Sequence, residues 1–494
     1  MRCLIFAFVL LARPAFAQPG PSPATSAGVQ EAKLLLSDGA EDDFFGGDVS
    51  LSGDRALIGT GGPRNAAFVF VRSGAQWSLE TTLTASDGDG QDGFGQSVSL
   101  HGNRALIGAA YDDDNGQSSG AAYVFVYDGT SWAEEAKLTP ADGAEGDYFG
   151  NAVALFGDRA IVGAAHDDES GSNGGAAYVF VRDGSAWTEE AKLLADDGAE
   201  GRRFGTSVSL SDGRALVGAN DFDLEGGQAY VFARTASTWV QEAALVADDV
   251  SGGFGISVSL TEDRALVGAP FDPAGGFQSG AGYVFRRDGV LWTQELKLRT
   301  ETEGSLRYLG WDVALDGDRA LLGSPGDDPN GPVSGSAYVF RRGDGGWSQG
   351  ERITPDDGAS PDNFGWAVSL SGERALMGAP QDEDFGRWSG SAYVFSGIAP
   401  PASAPPPPRS VVVAQAQPNP AHRRATLALS TNMPERVRAT LHDALGRELA
   451  VLHTGEAAGE VQLQIETARL APGVYVVRVE GETFAETRRL TVIR

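Results

Sequence analysis

Cysteine is almost missing from this chain: Cys3 is the only one among 494 residues. A chain with one cysteine so near its start forms no internal disulfide, and no thiol is left to serve as nucleophile or metal ligand. Lysine is nearly as scarce, with Lys33, Lys137, Lys192 and Lys297 the only four among 38 basic residues. Against 67 Asp and Glu they leave a formal charge of -29, which excludes nucleic acid and anionic membrane surfaces as natural partners. The five histidines are scattered, and no GxSxG, HExxH or phosphate-binding loop occurs. Beyond the first residues no apolar run approaches the roughly 18–20 needed to cross a bilayer, so no transmembrane segment is expected. Nor does any stretch sustain the 3.6-residue apolar period of a helix.

What is present begins with a segment that reads as a secretory signal over residues 1–17. Arg2 is followed by the apolar run Cys3 to Ala12 and by Ala15-Phe16-Ala17, a small-x-small cleavage site. Residues 18–28 then read as a linker. The remainder is dominated by a repeat. "FGxxVSL" recurs at Phe45, Phe94, Phe149, Phe204, Phe254, Leu309 and Phe364, at spacings of 49, 55, 55, 50, 55 and 55 residues.

Each copy continues with a tight turn and "RALIG" (Arg104 to Gly108), a polar loop, "AYVF" (Ala122 to Phe125), a hairpin turn and a Trp strand ending "EAKL" (Trp132 to Leu138). These are four short β-branched and aromatic strands separated by Gly, Asp and Ser turns. Seven such units predict an all-β chain whose main part, residues 29–397, is a seven-bladed β-propeller. The Trp residues read as blade packing and the Arg of "RAL" as a blade-structure residue. The seventh unit lacks a Trp strand, whereas "VQEAKLL" stands alone at Val29 to Leu35. That N-terminal segment is expected to supply the missing outer strand and close the ring.

The "FG … GAP" pattern resembles the FG-GAP repeats of integrin alpha-chain propellers, and more closely their bacterial relatives. The likeness covers the whole repeat region. In integrin-type repeats the first hairpin carries calcium. Here that hairpin is only "SGDR" (Ser52 to Arg55) or "DGDR" (Asp316 to Arg319), with too few oxygens for a six- to eight-coordinate cage.

In an antiparallel blade the loops joining strands 2 to 3 and 4 to 1 emerge on one face. The acidic runs fall there, giving Asp112, Asp114, Asp167, Asp168, Asp327, Asp328, Asp382 and Asp384 as candidate ligands for Ca2+ or Mg2+. Where the repeat breaks its own symmetry on this face, ligand-binding candidates appear. Tyr111, His166, Asp221, Phe271 and Gln381 follow the GAP step, Phe277 and Trp388 lie farther along the same loops, and Arg202, Arg203 and Arg307 interrupt the acidic pattern.

Residues 398–410 are a Pro-rich linker. Residues 411–494 alternate apolar and polar positions with turns between, as a small β-sandwich does. Pro418-Asn419-Pro420, Leu470-Ala471-Pro472-Gly473-Val474-Tyr475 and the terminal "RRLTVIR" resemble the type A C-terminal sorting domain of the type IX secretion system. That resemblance implies engagement of the secretion machinery by residues 411–494 and delivery to the outer surface or the medium. The expectation is a secreted or surface-displayed, non-catalytic propeller that binds or adheres to an extracellular protein or glycan. The alternative is a secreted carboxylate-dependent hydrolase or lyase acting on polysaccharide.

Overall fold

A computed structural model describes residues 28–220, 226–236, 238–249, 252–301, 304–398, 411–413, 416–444, 447–481 and 485–493. The signal segment, residues 18–27 of the linker, Asp221 and residues 399–410 of the Pro-rich spacer lie outside the described residues. The chain falls into two compact units divided between Ala402 and Ser403, and every regular element described is a β-strand.

Seven four-stranded antiparallel sheets make the first unit, a seven-bladed propeller. Blade 2 shows the plan, with strands Ser97–His101, Arg104–Ala109, Ala121–Tyr127 and Trp132–Leu138 running from the centre outward. The first strands of all seven blades surround a channel of about 510 Å³. The second and third strands are apolar on both sides because each blade is covered by a neighbour on either face. Leu106, Ile107 and Val124 are wholly buried in this way, each contributing about 1.5–3 kcal/mol.

The FG and GAP steps explain one another across the seam between blades. A Cβ on Gly108 would lie 2.0 Å from the carbonyl oxygen of Gly150, the FG glycine of the next blade. Gly150 itself holds φ at +96°, a backbone that side chains rarely adopt. The Phe before it, Phe149, meets Tyr178 and Phe180 edge-on at 5.5 and 6.0 Å. The serines of "VSL" also serve the seam: the Ser50 hydroxyl accepts from the Leu100 amide at 2.9 Å, and Ser99 from Leu155 at 3.0 Å.

On the outer strands a glutamate joins neighbours. Glu190 of blade 3 accepts from Arg159 of its own blade at 3.0 Å, and from Arg234 and the Trp239 indole of blade 4 at 2.9 and 3.0 Å. Burial alone would raise its pKa, but these donors bring it down to about 2. The "RAL" arginines are thus blade residues as expected. Three of the Trp side chains do more than pack, since Trp132, Trp187 and Trp239 each donate to the preceding blade.

The ring closes as the repeat required. Val29–Leu34 pairs antiparallel with Ser391–Ser396, matching Lys33 to Tyr393 and Leu34 to Ala392, so blade 7 has its fourth strand from the N-terminal side. It carries the same bulge that outer strands have elsewhere, here between Gln30 and Ala32. Its Glu31 accepts from Arg374 of blade 7 and from Arg72 of blade 1, an inter-blade contact of the kind Glu190 makes. Ile398, placed in the spacer on composition, is fully buried and hydrogen-bonded to Glu373 and Arg319.

The second unit folds around two long strands, Arg424–His442 and Glu448–Glu466, which pair with each other along most of their length. Val411–Val413 adds to one end of the first, and Gly473–Gly481 followed by Ala485–Val492 adds to the other. Leu427, Leu429, Leu441, Ile465, Val477 and Leu490 form one core among them.

Candidate functional site at the channel mouth

The acidic loop face is organised by lysine. Lys137, on the outer strand of blade 2, places its ammonium 2.9 Å from Asp112, 3.0 Å from Asp87 and 2.5 Å from Asp114. The Tyr123 hydroxyl lies 2.8 Å from both Asp112 and Asp87 and donates its one proton to either carboxylate. Blade 3 repeats this with Lys192, Asp142, Asp167, Glu169 and Tyr178, and blade 5 with Lys297, Asp249, Asp272 and Tyr283. In blade 7 the cation is Lys33 of the closing strand, between Asp357, Asp382 and Asp384. Burial works against the Lys137 charge, but hydrogen bonds to Asp114, Tyr123, Asp112 and Asp87 outweigh it and push its pKa well above the usual range.

All four lysines of the chain are therefore used, each as the cation of a carboxylate cage. This changes the reading of the candidate metal ligands. Asp112, Asp114, Asp167, Asp382 and Asp384 surround an ammonium where a divalent ion was expected. Asp327 is held by Arg352 at 2.8 Å and by the Tyr338 hydroxyl. Asp168 and Asp328 point back into their own loops, accepting from the amides of Asn173 and Val333.

At the centre of the same face, over the mouth of the channel, lies a cavity of about 720 Å³. Tyr111, His166, Arg203 and Gln381 from the expected set line it together, with Phe44, Gln96, Tyr148, Asn151 and Trp366. The rings form two groups. Tyr148 meets Tyr111 at 5.7 Å and His166 at 4.6 Å, while Trp366 lies 4.7 Å from Trp311, which in turn contacts Phe271 and Tyr308. Phe271 thus backs the wall, and Trp388 stands against Phe44 at 5.5 Å with Arg387 over its outer face. Arg202 is exposed outside the cavity, Arg307 sits 3.6 Å from Asp327, and Phe277 is 64% exposed at a loop tip.

Three positions per blade supply the mouth, the residue after GAP, the residue before FG and the residue after FG, and the first two compensate for each other. Gly93 leaves room for Tyr111 and Gly253 for Phe271, since a Cβ on either glycine would come within 2.8 Å of the ring. In blade 6 the roles reverse, with Gly326 under the ring of Tyr308. The position before FG is left-handed, so glycine suits it, yet Phe44, Tyr148, Arg203 and Tyr308 occupy it with φ of 49, 55, 48 and 57°. Each such side chain costs roughly 1 kcal/mol of backbone strain, a cost that collects at binding sites. Of the residues before FG, Arg203 stands out in the sequence as a break in the acidic pattern, whereas Phe44, Tyr148 and Tyr308 do not. The alternation of glycine with aromatic residues before each FG was the available signal.

Polar groups in the mouth divide into two kinds. Asn151 is fixed by the carbonyls of Gly205 and Thr206 and by the Ala165 amide, so it shapes the wall. Gln96, Gln381 and the Tyr111 and Tyr148 hydroxyls carry no side-chain hydrogen bond among the described residues. Burial lowers the pKa of His166 and the nearby Arg203 charge lowers it further, leaving a neutral imidazole at pH 7. Below the mouth, Asp48 and Asp312 stand in the channel wall. Asp48 accepts from the Val49 and Val98 amides at 2.8 and 2.6 Å, and burial, with the Asp312 charge, pushes its pKa up to about 7.

Comparison with known proteins bears on both units. The FG-GAP repeat model matches seven times, at residues 29–70, 77–125, 132–180, 187–232, 239–285, 292–340 and 347–395. Each match runs from the outer strand of one blade through the third strand of the next, so the first starts on the closing strand. Residues 415–493 match the secretion system C-terminal sorting domain. None of the curated proteins compared matches the chain. Among solved structures, one titled "Crystal Structure of Mitotic Checkpoint Complex" aligns at 11% identity and a TM-score of 0.49, covering 78% of this chain and 99% of that one.

Proposed function

The chain belongs to the FG-GAP repeat family and ends in a type IX sorting domain, and from that premise we propose that it is an exported, non-catalytic binding propeller that captures an extracellular glycan at the channel mouth. The sorting domain directs the protein to the secretion machinery, which delivers it to the outer surface or the medium. No helix among the described residues is long and apolar enough to cross a membrane. The observation that carries the reading is the cavity, which has the size of a ligand site and offers aromatic faces with amide and hydroxyl groups between them. Sugars present that pair of surfaces, an apolar C–H face and a rim of hydroxyls. The aromatic and polar side chains placed there differ from blade to blade, and several sit on strained backbone.

A polysaccharide hydrolase acting through two carboxylates would need Asp or Glu in the cavity. Among the described residues the lining contains neither, although the surrounding loops are rich in both. Retention on an immobilised glycan panel, followed by analysis of the released material, tests the proposal. Glycan retained without cleavage, and lost in Trp366→Ala and Tyr111→Ala, is the expected result. Release of shortened or unsaturated product would overturn it.

A further inference from the structure

We infer that the glycan bound at the channel mouth carries a free amino group, as an unacetylated amino sugar does, and that its ammonium enters the channel between Asp48 and Asp312. This rests on the glycan reading and narrows it. The cavity at the mouth and the channel below it are continuous, since Gly47, Gln96, Asn151, Thr206 and Trp366 line both. These are residues that follow FG, and the next residue of each blade stands one step deeper in the channel wall. Five blades have Ser or Ala there, whereas blades 1 and 6 have Asp48 and Asp312.

No cation of the protein serves this pair. Asp48 accepts from the Val49 and Val98 amides, and Asp312 from the Ser257 hydroxyl and the amides of Val313 and Val368. A carboxylate has about four acceptor positions, so each keeps room for a further donor, and both side chains are open to the channel. Among the described residues no Lys, Arg or His lines the channel, and residues 221–225, 237, 250–251 and 302–303 include none. The loop-face carboxylates differ in this respect, because their lysines already neutralise them. Burial and the charge of Asp312 disfavour an ionised Asp48, a penalty that an ammonium between the two would relieve.

The approach to the pair also suits a cation. Trp311 directly precedes Asp312, and Trp366 belongs to blade 7, which stands between blades 6 and 1. The two indoles lie 4.7 Å apart on the side of the ring that holds both carboxylates. Indole faces attract an ammonium and also pack against the C–H face of a sugar. Arg203 stands across the ring on blade 4 and has an interaction of its own. An N-acetyl group in place of the amine would bring neither charge nor a strong donor to Asp48 and Asp312.

Titration calorimetry on the full chain at pH 7 tests this with a glucosamine trisaccharide and its N-acetylated counterpart. The amine should bind about tenfold to a hundredfold more tightly, the range of a charge-assisted contact. Asp48→Ser combined with Asp312→Ser, the residue that blades 2, 4 and 5 carry at this position, should bring the amine down to the affinity of the acetylated sugar. The affinity of the acetylated sugar should be unchanged in that variant, which shows that the mouth is intact. Glu383→Gln, which removes an exposed charge from the same face, should leave the preference in place.

Equal affinity for the two sugars, or a preference for the amine that survives in the double variant, overturns the inference and leaves the glycan reading standing. A preference lost equally in Glu383→Gln also overturns it, because the field of the loops and not the channel would then account for it. Binding of neither sugar overturns it too, while the glycan reading answers to the immobilised panel.

Discussion

Replacing Lys137 by alanine isolates the role of the lysine cages. The substitution leaves Asp112, whose side chain is 5% exposed, without its counter-charge, and Asp87 and Asp114 facing one another. Breaking a buried pair by removing one partner costs about 3–5 kcal/mol, whereas exposed pairs are worth less than about 1. With Lys137 19% exposed and two of its three partners near the surface, about 3 kcal/mol is expected. At roughly 2 cal/mol/K of unfolding entropy per residue over about 370 residues of ring, that lowers Tm by about 4 °C.

The vacated site then holds carboxylates that had all been within 3.0 Å of one atom, a spacing suited to a hard cation. Millimolar Ca2+ should therefore restore most of the lost Tm in the variant. The parent protein should melt at the same temperature in Ca2+ and in EDTA. Adding Asp112→Asn to Lys137→Ala should also recover stability, because the orphaned charge is gone. Differential scanning calorimetry reads all of these. A parent protein destabilised by EDTA, or a Lys137→Ala variant as stable as the parent, would refute the reasoning.

Deleting Val29–Leu34 removes Glu31, Lys33 and the buried Leu34 and leaves Tyr393 to Phe395 as an open edge, a loss above about 5 kcal/mol; thermal melts and size-exclusion chromatography should show early unfolding and association. Gly59→Ala should be severely destabilising in denaturant melts, since its Cβ would lie 1.9 Å from the Gly95 carbonyl oxygen, while Gly343→Ala, with open space around it, should be neutral within about 0.5 kcal/mol. Asp48 titrates near 7 in the folded protein against 3.8 ordinarily, so folding favours its protonated form. Its contribution is complete below pH ~4 and is lost as pH rises to 7. Asp48→Ser, the residue found in blades 2, 4 and 5, should therefore gain stability relative to the parent between pH 5 and pH 8 by about 2 kcal/mol in urea titrations, and a constant difference would count against the assignment.

The scaffold was readable because its demands repeat. Phe149, Gly150 and Gly163 do in blade 3 what Phe94, Gly95 and Gly108 do in blade 2, and the displaced "VQEAKL" follows from the same count. The mouth was half readable. Tyr111, His166, Arg203 and Gln381 stand out as departures from the repeat, but Trp311 and Trp366 lie on another part of the unit and join them only through ring closure. The lysine cages were hidden for a different reason. "EAKL" looks like one more amphipathic strand, and nothing local says that its lysine reaches Asp87, 50 residues back, as well as Asp112.

The closing strand also sets how the propeller bears load. The last strand before the spacer, Ser391–Ser396, is not an edge: Arg374–Ala379 flanks it on one side and Val29–Leu34 on the other. Just beyond it, Ile398 is tied by its amide to Glu373 and by its carbonyl to Arg319 at 2.8 Å. A pull on the chain beyond Ile398 would thus meet two hydrogen-bond ladders in shear, which must slip together, where an edge strand would peel one bond at a time.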